Sequence, residues 1–118
     1  MLDITDSDIG RLEGKAANAA NMLKSISNKW RLLILCQLVK GEKSVGELLE
    51  VVELSQSALS QHLAVLRKSD LVSTRRESQS IFYSLKGTEA PIILAALYKV
   101  YCTPAAARSR SVKGRRKS

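Results

Sequence analysis

The stretch Leu54–Leu66, L-S-Q-S-A-L-S-Q-H-L-A-V-L, places small hydrogen-bonding side chains at a spacing suited to reading base edges. At the helical repeat, Ser57, Ser60, Gln61, Ala64 and Lys68 share one face, while Leu59, Leu63 and Leu66 form an apolar stripe on the other. A short face, uncharged at its start and rich in donors and acceptors, fits a DNA major groove, where glutamine pairs bidentately with adenine. An ordinary solvated face is the plainer reading, although such a face more often carries Glu and Lys. Gln56 and His62 flank the set, nearer to phosphate or sugar than to bases. The second chemistry is that of two thiols, Cys36 and Cys102. Free cysteine is often a small buried hydrophobe, so on composition alone both a structural and a reactive role stay open.

The elements that must position these residues follow from local signals. Ser55 caps the helix 55–69, its hydroxyl accepting an otherwise unpaired backbone N–H of the first turn. Ser44 and Glu47 form a capping box for a helix over 44–52, with Val45, Leu48, Leu49 and Val52 on its apolar side. The tight link at Glu53 and Leu54 makes the pair a helix-turn-helix. Beyond Asp70, Val72 and Thr74, then Ile81, Tyr83 and Leu85, alternate at the strand period around a turn in Arg76–Ser80. A helix-turn-helix followed by such a hairpin is a winged helix, with Arg75, Arg76 and Gln79 on the wing, where positive charge meets phosphate.

Three further helices complete the expected order: helix, helix, helix, helix, strand, strand, helix. The first spans about residues 10–24 with Leu12, Ala16, Ala19, Ala20 and Leu23 as its stripe. The second spans Ser27–Val39 with Trp30, Leu33, Ile34 and Leu38 inward and Gly41 near its end. The last begins near Thr88, a cap followed by Glu89 and a tolerated Pro91, and reads I-I-L-A-A-L-Y-K-V-Y-C, apolar nearly all round. A terminal helix of that kind on a small domain is expected to form half of a subunit interface, packed with the first helix. A two-fold homodimer then presents two recognition helices about one DNA turn apart, matching an inverted-repeat operator.

The 118 residues suffice for one domain. Net charge is +8, but Arg108, Arg110, Lys113, Arg115, Arg116 and Lys117 supply +6 of it within an acid-free tail, leaving +2 elsewhere. We expect a flexible N-terminus over 1–9, one DNA-binding and dimerisation domain over 10–104, and a disordered basic tail over 105–118. The tail either attracts DNA irrespective of sequence or aids solubility. No stretch approaches the roughly 18 apolar residues of a membrane span, and the acidic Asp3, Asp6 and Asp8 are unlike a signal peptide. A cytoplasmic protein without membrane contact is expected, with its thiols normally reduced. No phosphate loop, metal constellation or C-x-x-C motif is present, so neither an enzyme nor a cofactor is expected.

Taken together, K-W-R-L-L-I-L-C, S-V-G-E-L, L-S-Q-S-A-L-S-Q-H-L-A-V-L-R and the wing L-V-S-T-R-R-E-S-Q-S-I-F-Y-S-L resemble the arsenic-repressor (ArsR) family of dimeric winged-helix repressors over residues 11–104. Within it the chain is similar to the two-cysteine, persulfide-responsive branch of HlyU, BigR and YgaV, whose cysteines lie in the second helix and at the end of the last. Cys36 and Cys102 occupy those places. The metal-sensing members use a third-helix cysteine pair or Asp and His in the last helix. Here Glu47-Leu48-Leu49 stands in the first position and the last helix lacks both residue types, so no metal site is expected. His62 alone makes no ligand set; zinc wants four ligands.

The resemblance implies that reactive sulfur species, persulfides or polysulfides, link the two cysteines through two to four sulfurs and release operator DNA. Lys40, one turn after Cys36, favours a thiolate there, whereas the negative helix end disfavours one at Cys102. Cys36 is therefore expected to attack first and Cys102 to resolve. Two alternatives share the fold: a ligand-independent derepressor that displaces a nucleoid silencer, and a repressor responding to peroxide.

Overall fold

A computed structural model describes residues 3–102; the basic tail 105–118 lies outside the described residues. The chain divides into two compact units, 1–86 and 87–118. In the first, the order is α1 (Asp6–Glu13), α2 (Ala16–Ile26), α3 (Lys29–Val39), β1 (Lys43–Ser44), α4 (Val45–Val51), α5 (Gln56–Lys68), β2 (Val72–Glu77) and β3 (Ser80–Leu85). The second contains α6 (Glu89–Cys102). The architecture is a mainly helical winged helix-turn-helix with a small antiparallel sheet.

Short-range chemistry sets most boundaries. The Ser44 hydroxyl accepts from Glu47 N–H at 3.1 Å and the Glu47 carboxylate accepts from Ser44 N–H at 2.8 Å, the expected capping box. The Ser55 hydroxyl accepts from Ala58 N–H at 3.1 Å and starts α5. At its other end α5 closes in a Schellman arrangement. Leu71 N–H reaches Leu66 C=O and Asp70 N–H reaches Arg67 C=O, both at 3.0 Å. Asp70 adopts φ +65° there, a conformation usually given to glycine. Leu66 and Leu71 are both buried, the apolar contact that accompanies this cap.

Three expectations are corrected. The first helix is two, because the chain breaks at Gly14–Lys15, and α1 begins at Asp6, inside the segment taken as a flexible end. Thr5 caps it: its hydroxyl accepts from Asp8 N–H at 3.1 Å, and Asp8 accepts from Thr5 N–H at 3.1 Å. Those hydrogen bonds, chiefly with Thr5, hold the Asp8 carboxyl below its usual range. Helix α3 starts at Lys29, capped by Asn28, and its inward set is Ile34, Leu35 and Leu38, with the expected Leu33 exposed. The wing is not a bare hairpin: β1 joins it, in the order β1-β3-β2, with Lys43 opposite Tyr83 and Ser44 opposite Phe82.

The core of the first unit sits where α3, α4, α5 and the sheet meet. Ile34, Leu35, Leu38, Leu48, Leu59, Leu63, Leu66 and Val72 are all essentially sealed from water. The expected leucine stripe of α5 is thus its inner face. On α1 and α2 the expected stripe faces outward in the single chain, with Leu12 59% and Leu23 52% exposed. In α6, Ile92, Tyr98, Val100 and Tyr101 are likewise exposed.

Candidate nucleic-acid interface

Burial of Leu59, Leu63 and Leu66 fixes the rotation of α5, so its opposite residues must face solvent. Gln56, Ser57, Ser60, Gln61 and Lys68 are all exposed, as the helical spacing requires. His62 is different: it is half-buried, and its Nδ1 lies 3.3 Å from Arg31 Nη1. Arginine can only donate, so Nδ1 accepts and the ring is neutral with its proton on Nε2. Burial first, and the Arg31 charge second, push the imidazole below its ordinary value. Arg31 also donates from Nε to Ser25 C=O. His62 therefore ties α5 to the α2–α3 corner through Arg31.

The wing pairs Val72 with Leu85 through Glu77 with Ser80, and Ser78 and Gln79 form the turn. Ser78 takes φ +57°, as the first position of a II′-class hairpin turn requires. Neighbouring Arg75 and Arg76 fall on opposite faces of β2, and their surroundings differ. Arg75 donates from Nε and Nη2 to the two Glu42 oxygens at 2.7 and 2.8 Å, and from Nη1 to Glu77 at 2.8 Å. Its guanidinium also lies 4.7 Å from the Phe82 ring centre. These hydrogen bonds hold the Glu42 carboxyl below its usual range and the Arg75 guanidinium above its own. Arg76 and Gln79 are exposed, and Arg76 makes no ion pair with any described residue.

Cys36 lies in the last turn of α3 and is exposed; Cys102 is the final residue of α6 and is exposed. Lys40 is the C-cap of α3, one turn beyond Cys36. Among the described residues no three His, Cys, Asp or Glu side chains gather closely enough to hold a metal. None of their helices is long and apolar enough to cross a membrane.

Residues 28–74, from the cap of α3 through the helix-turn-helix into β2, match the family described as "Bacterial regulatory protein, arsR family". Transcriptional activator HlyU of Vibrio cholerae is 48% identical over 95 residues, covering 80% of this chain and 88% of that protein. The chain belongs to the ArsR family. Another ArsR-family relative, the biofilm growth-associated repressor of Agrobacterium fabrum, is 41% identical over 103 residues, 87% of this chain and 88% of its own. The crystal structure of the transcriptional repressor BigR from Xylella fastidiosa superposes with a TM-score of 0.76 at 43% identity, covering 84% of this chain and 98% of that one.

Two side chains that matter to this ArsR-family face were missed in the sequence. Arg31 and Glu42 hold His62 and Arg75 from 31 and 33 residues away, and no local pattern announces pairs so separated.

Proposed function

We propose that this chain is a homodimeric regulator of transcription that binds double-stranded operator DNA in its reduced form. One observation carries the reading. Helix α5 seals three leucines inside and leaves Ser57, Ser60 and Gln61 outside, with Gln56 and Lys68 beside them. Ser57, Ser60 and Gln61 read base edges; Gln56 and Lys68 reach sugar and phosphate; Arg76 and Gln79 meet the backbone from the wing. Arg75 leaves the phosphate set, because Glu42 and Glu77 already neutralise it, and acts as the wing's anchor. His62 holds the recognition helix in place. The exposed apolar side chains of α1, α2 and α6, among them Leu12, Leu23, Ile92 and Tyr98, supply the dimer contact.

The regulatory part of the proposal is a dithiol switch. The Cys36 thiolate attacks a polysulfide, takes a sulfane sulfur and releases the shortened polysulfide. Cys102 then attacks Cys36 Sγ, forming a disulfide and expelling hydrosulfide. If both cysteines first become persulfides, they condense to a trisulfide and release hydrogen sulfide. In each case two thiols are oxidised and one sulfane sulfur is reduced. Helix α3 suits this role because both its ends reach the DNA-facing elements. Arg31 contacts His62 on α5, and Gly41 (φ +141°) turns the chain to Glu42, which grips Arg75 on the wing. Rotation of α3 therefore moves helix and wing together.

A second reading is favoured by the name of the V. cholerae relative, a transcriptional activator: the same DNA-bound dimer raises transcription by displacing a silencing protein, without an effector. The DNA-binding claim is tested by selecting genomic fragments on reduced protein and footprinting them. Two protected half-sites in inverted orientation, about one helical turn apart, are expected together with a dimeric solution mass. A single protected half-site bound by a monomer would refute the dimeric assignment.

A further inference from the structure

Between the second half of α5 and wing strand β3 lies an open hollow of about 420 Å³, lined by Ser60, Ala64, Arg67, Lys68 and Tyr83. Of this set only Arg67 was not singled out from the sequence. Tyr83, one of the alternating positions of β3, is half-buried and lines the hollow. Arg67 and Lys68 are exposed and form no ion pair with any described residue. Asp70, two residues beyond Lys68, is already engaged: it accepts from Lys86 Nζ at 2.7 Å. The lining thus offers two cations, the hydroxyl-bearing Ser60 and Tyr83, the small Ala64, and no carboxylate. Cations in a last helical turn also complement its dipole, but that role needs neither the tyrosine nor the cleft beside it.

We propose that this hollow is a seat for a backbone phosphate of the bound duplex, a tetrahedral oxyanion held by Arg67 and Lys68 and oriented by the Tyr83 hydroxyl, with Ser60 left at its rim to the base-reading set. The assignment rests on the DNA-binding reading and extends it. Gln61 and Arg67 are six residues apart, about 9 Å along the helix axis, so a helix whose front half reads bases brings its rear half to the groove wall. There the strand offers one phosphate per about 3.4 Å of axis. Arg67 suits such a site by its fixed fork of donors, Lys68 as a mobile point charge. The wide mouth of the hollow suits a polymer's phosphate better than a small molecule that must be enclosed.

The test measures binding of the reduced full chain to a short mixed-sequence duplex across a salt series, since a phosphate seat does not depend on the operator. Arg67→Ala with Lys68→Ala should lower the salt slope by about 1 to 2 and weaken binding at least about tenfold. Tyr83→Phe should keep the slope and lose affinity several-fold, with thermal melting confirming that each variant folds. On the footprinted operator, where base contacts fix the register, replacing single phosphates by neutral methylphosphonates should weaken wild type at one or two positions per half-site, and the double variant should ignore those substitutions. Inorganic phosphate at constant ionic strength should compete no better than chloride. A double variant with wild-type slope and affinity would overturn the seat while leaving DNA binding intact. Saturable competition by inorganic phosphate without any methylphosphonate effect would reassign the hollow to a free oxyanion. A wild type that binds no duplex would remove the DNA-binding reading itself.

Discussion

Arg31 Nη1 on α3 lies 3.3 Å from His62 Nδ1 on α5, so a cation on the helix carrying one thiol touches the helix proposed to read DNA. The contact requires a neutral imidazole, and this gives stability a pH dependence of definite sign. The folded chain resists protonation of His62, whereas the unfolded chain takes up the proton near the ordinary value of 6.5. The unfolded state therefore binds more protons below that value, and stability rises with pH. His62 is the chain's one histidine. Asp8 and Glu42, both held below their usual range, lose their contributions at lower pH. Urea melts are expected to be flat above pH 7 and to weaken from about pH 6.5 downward. His62→Gln should flatten the upper part of that fall.

Base reading and phosphate contact separate in their salt behaviour. Gln61→Ala should cost about 1–3 kcal/mol on the operator and relax preference at one base pair, with the salt slope unchanged. Arg76→Ala should weaken all sequences alike and reduce the slope by about 1. Anisotropy titrations on operator and scrambled duplexes, each at several salt concentrations, distinguish the two outcomes.

A long-range ion pair, Arg75 with Glu42, ties the wing to the end of α3 in addition to its own hairpin ladder. Glu42→Gln leaves Arg75 with Glu77 and Phe82 but removes the bidentate grip from the α3 side. Amide exchange in β2 and β3 should quicken while α5 amides stay protected. Arg75→Lys should behave similarly, because an ammonium cannot reproduce the paired geometry of the guanidinium. Unchanged exchange in both variants would show that the sheet alone holds the wing.

Asp70 sits at a left-handed cap position, and its carboxylate accepts from Lys86 in an exposed pair. Exposed pairs contribute about 0–1 kcal/mol, whereas a non-glycine residue in this conformation costs about 1–2 kcal/mol. Asp70→Gly should therefore stabilise the chain by up to about 1 kcal/mol in denaturant titration, and Asp70→Val should destabilise it strongly.

These contrasts show what was legible in the sequence. The caps at Ser44 and Ser55 and the leucines of α5 depend on residues within one or two turns, so spacing alone located them. Helix α3 is apolar on nearly every side, and its period could not choose between Leu33 and Leu35; packing chose Leu35. Strand β1 is only two residues long, Lys43 and Ser44, too short for any alternation to register. The separate fates of Arg75 and Arg76 follow from Glu42, distant in the chain, so adjacent arginines looked equivalent. The helix-turn-helix and the inner face of α5 were therefore readable, and the contacts that lock that helix and the wing in place were not.

The proposal that α3 governs the DNA-binding face is tested most directly by operator affinity before and after polysulfide treatment, in wild type and in Cys36→Ser/Cys102→Ser, with peptide mass mapping of the treated samples. The account predicts a Cys36–Cys102 bridge within one chain and at least about a tenfold loss of affinity, equivalent to about 1.4 kcal/mol, in wild type only. A mapped bridge with unchanged affinity, or an equal loss in the double variant, would contradict it.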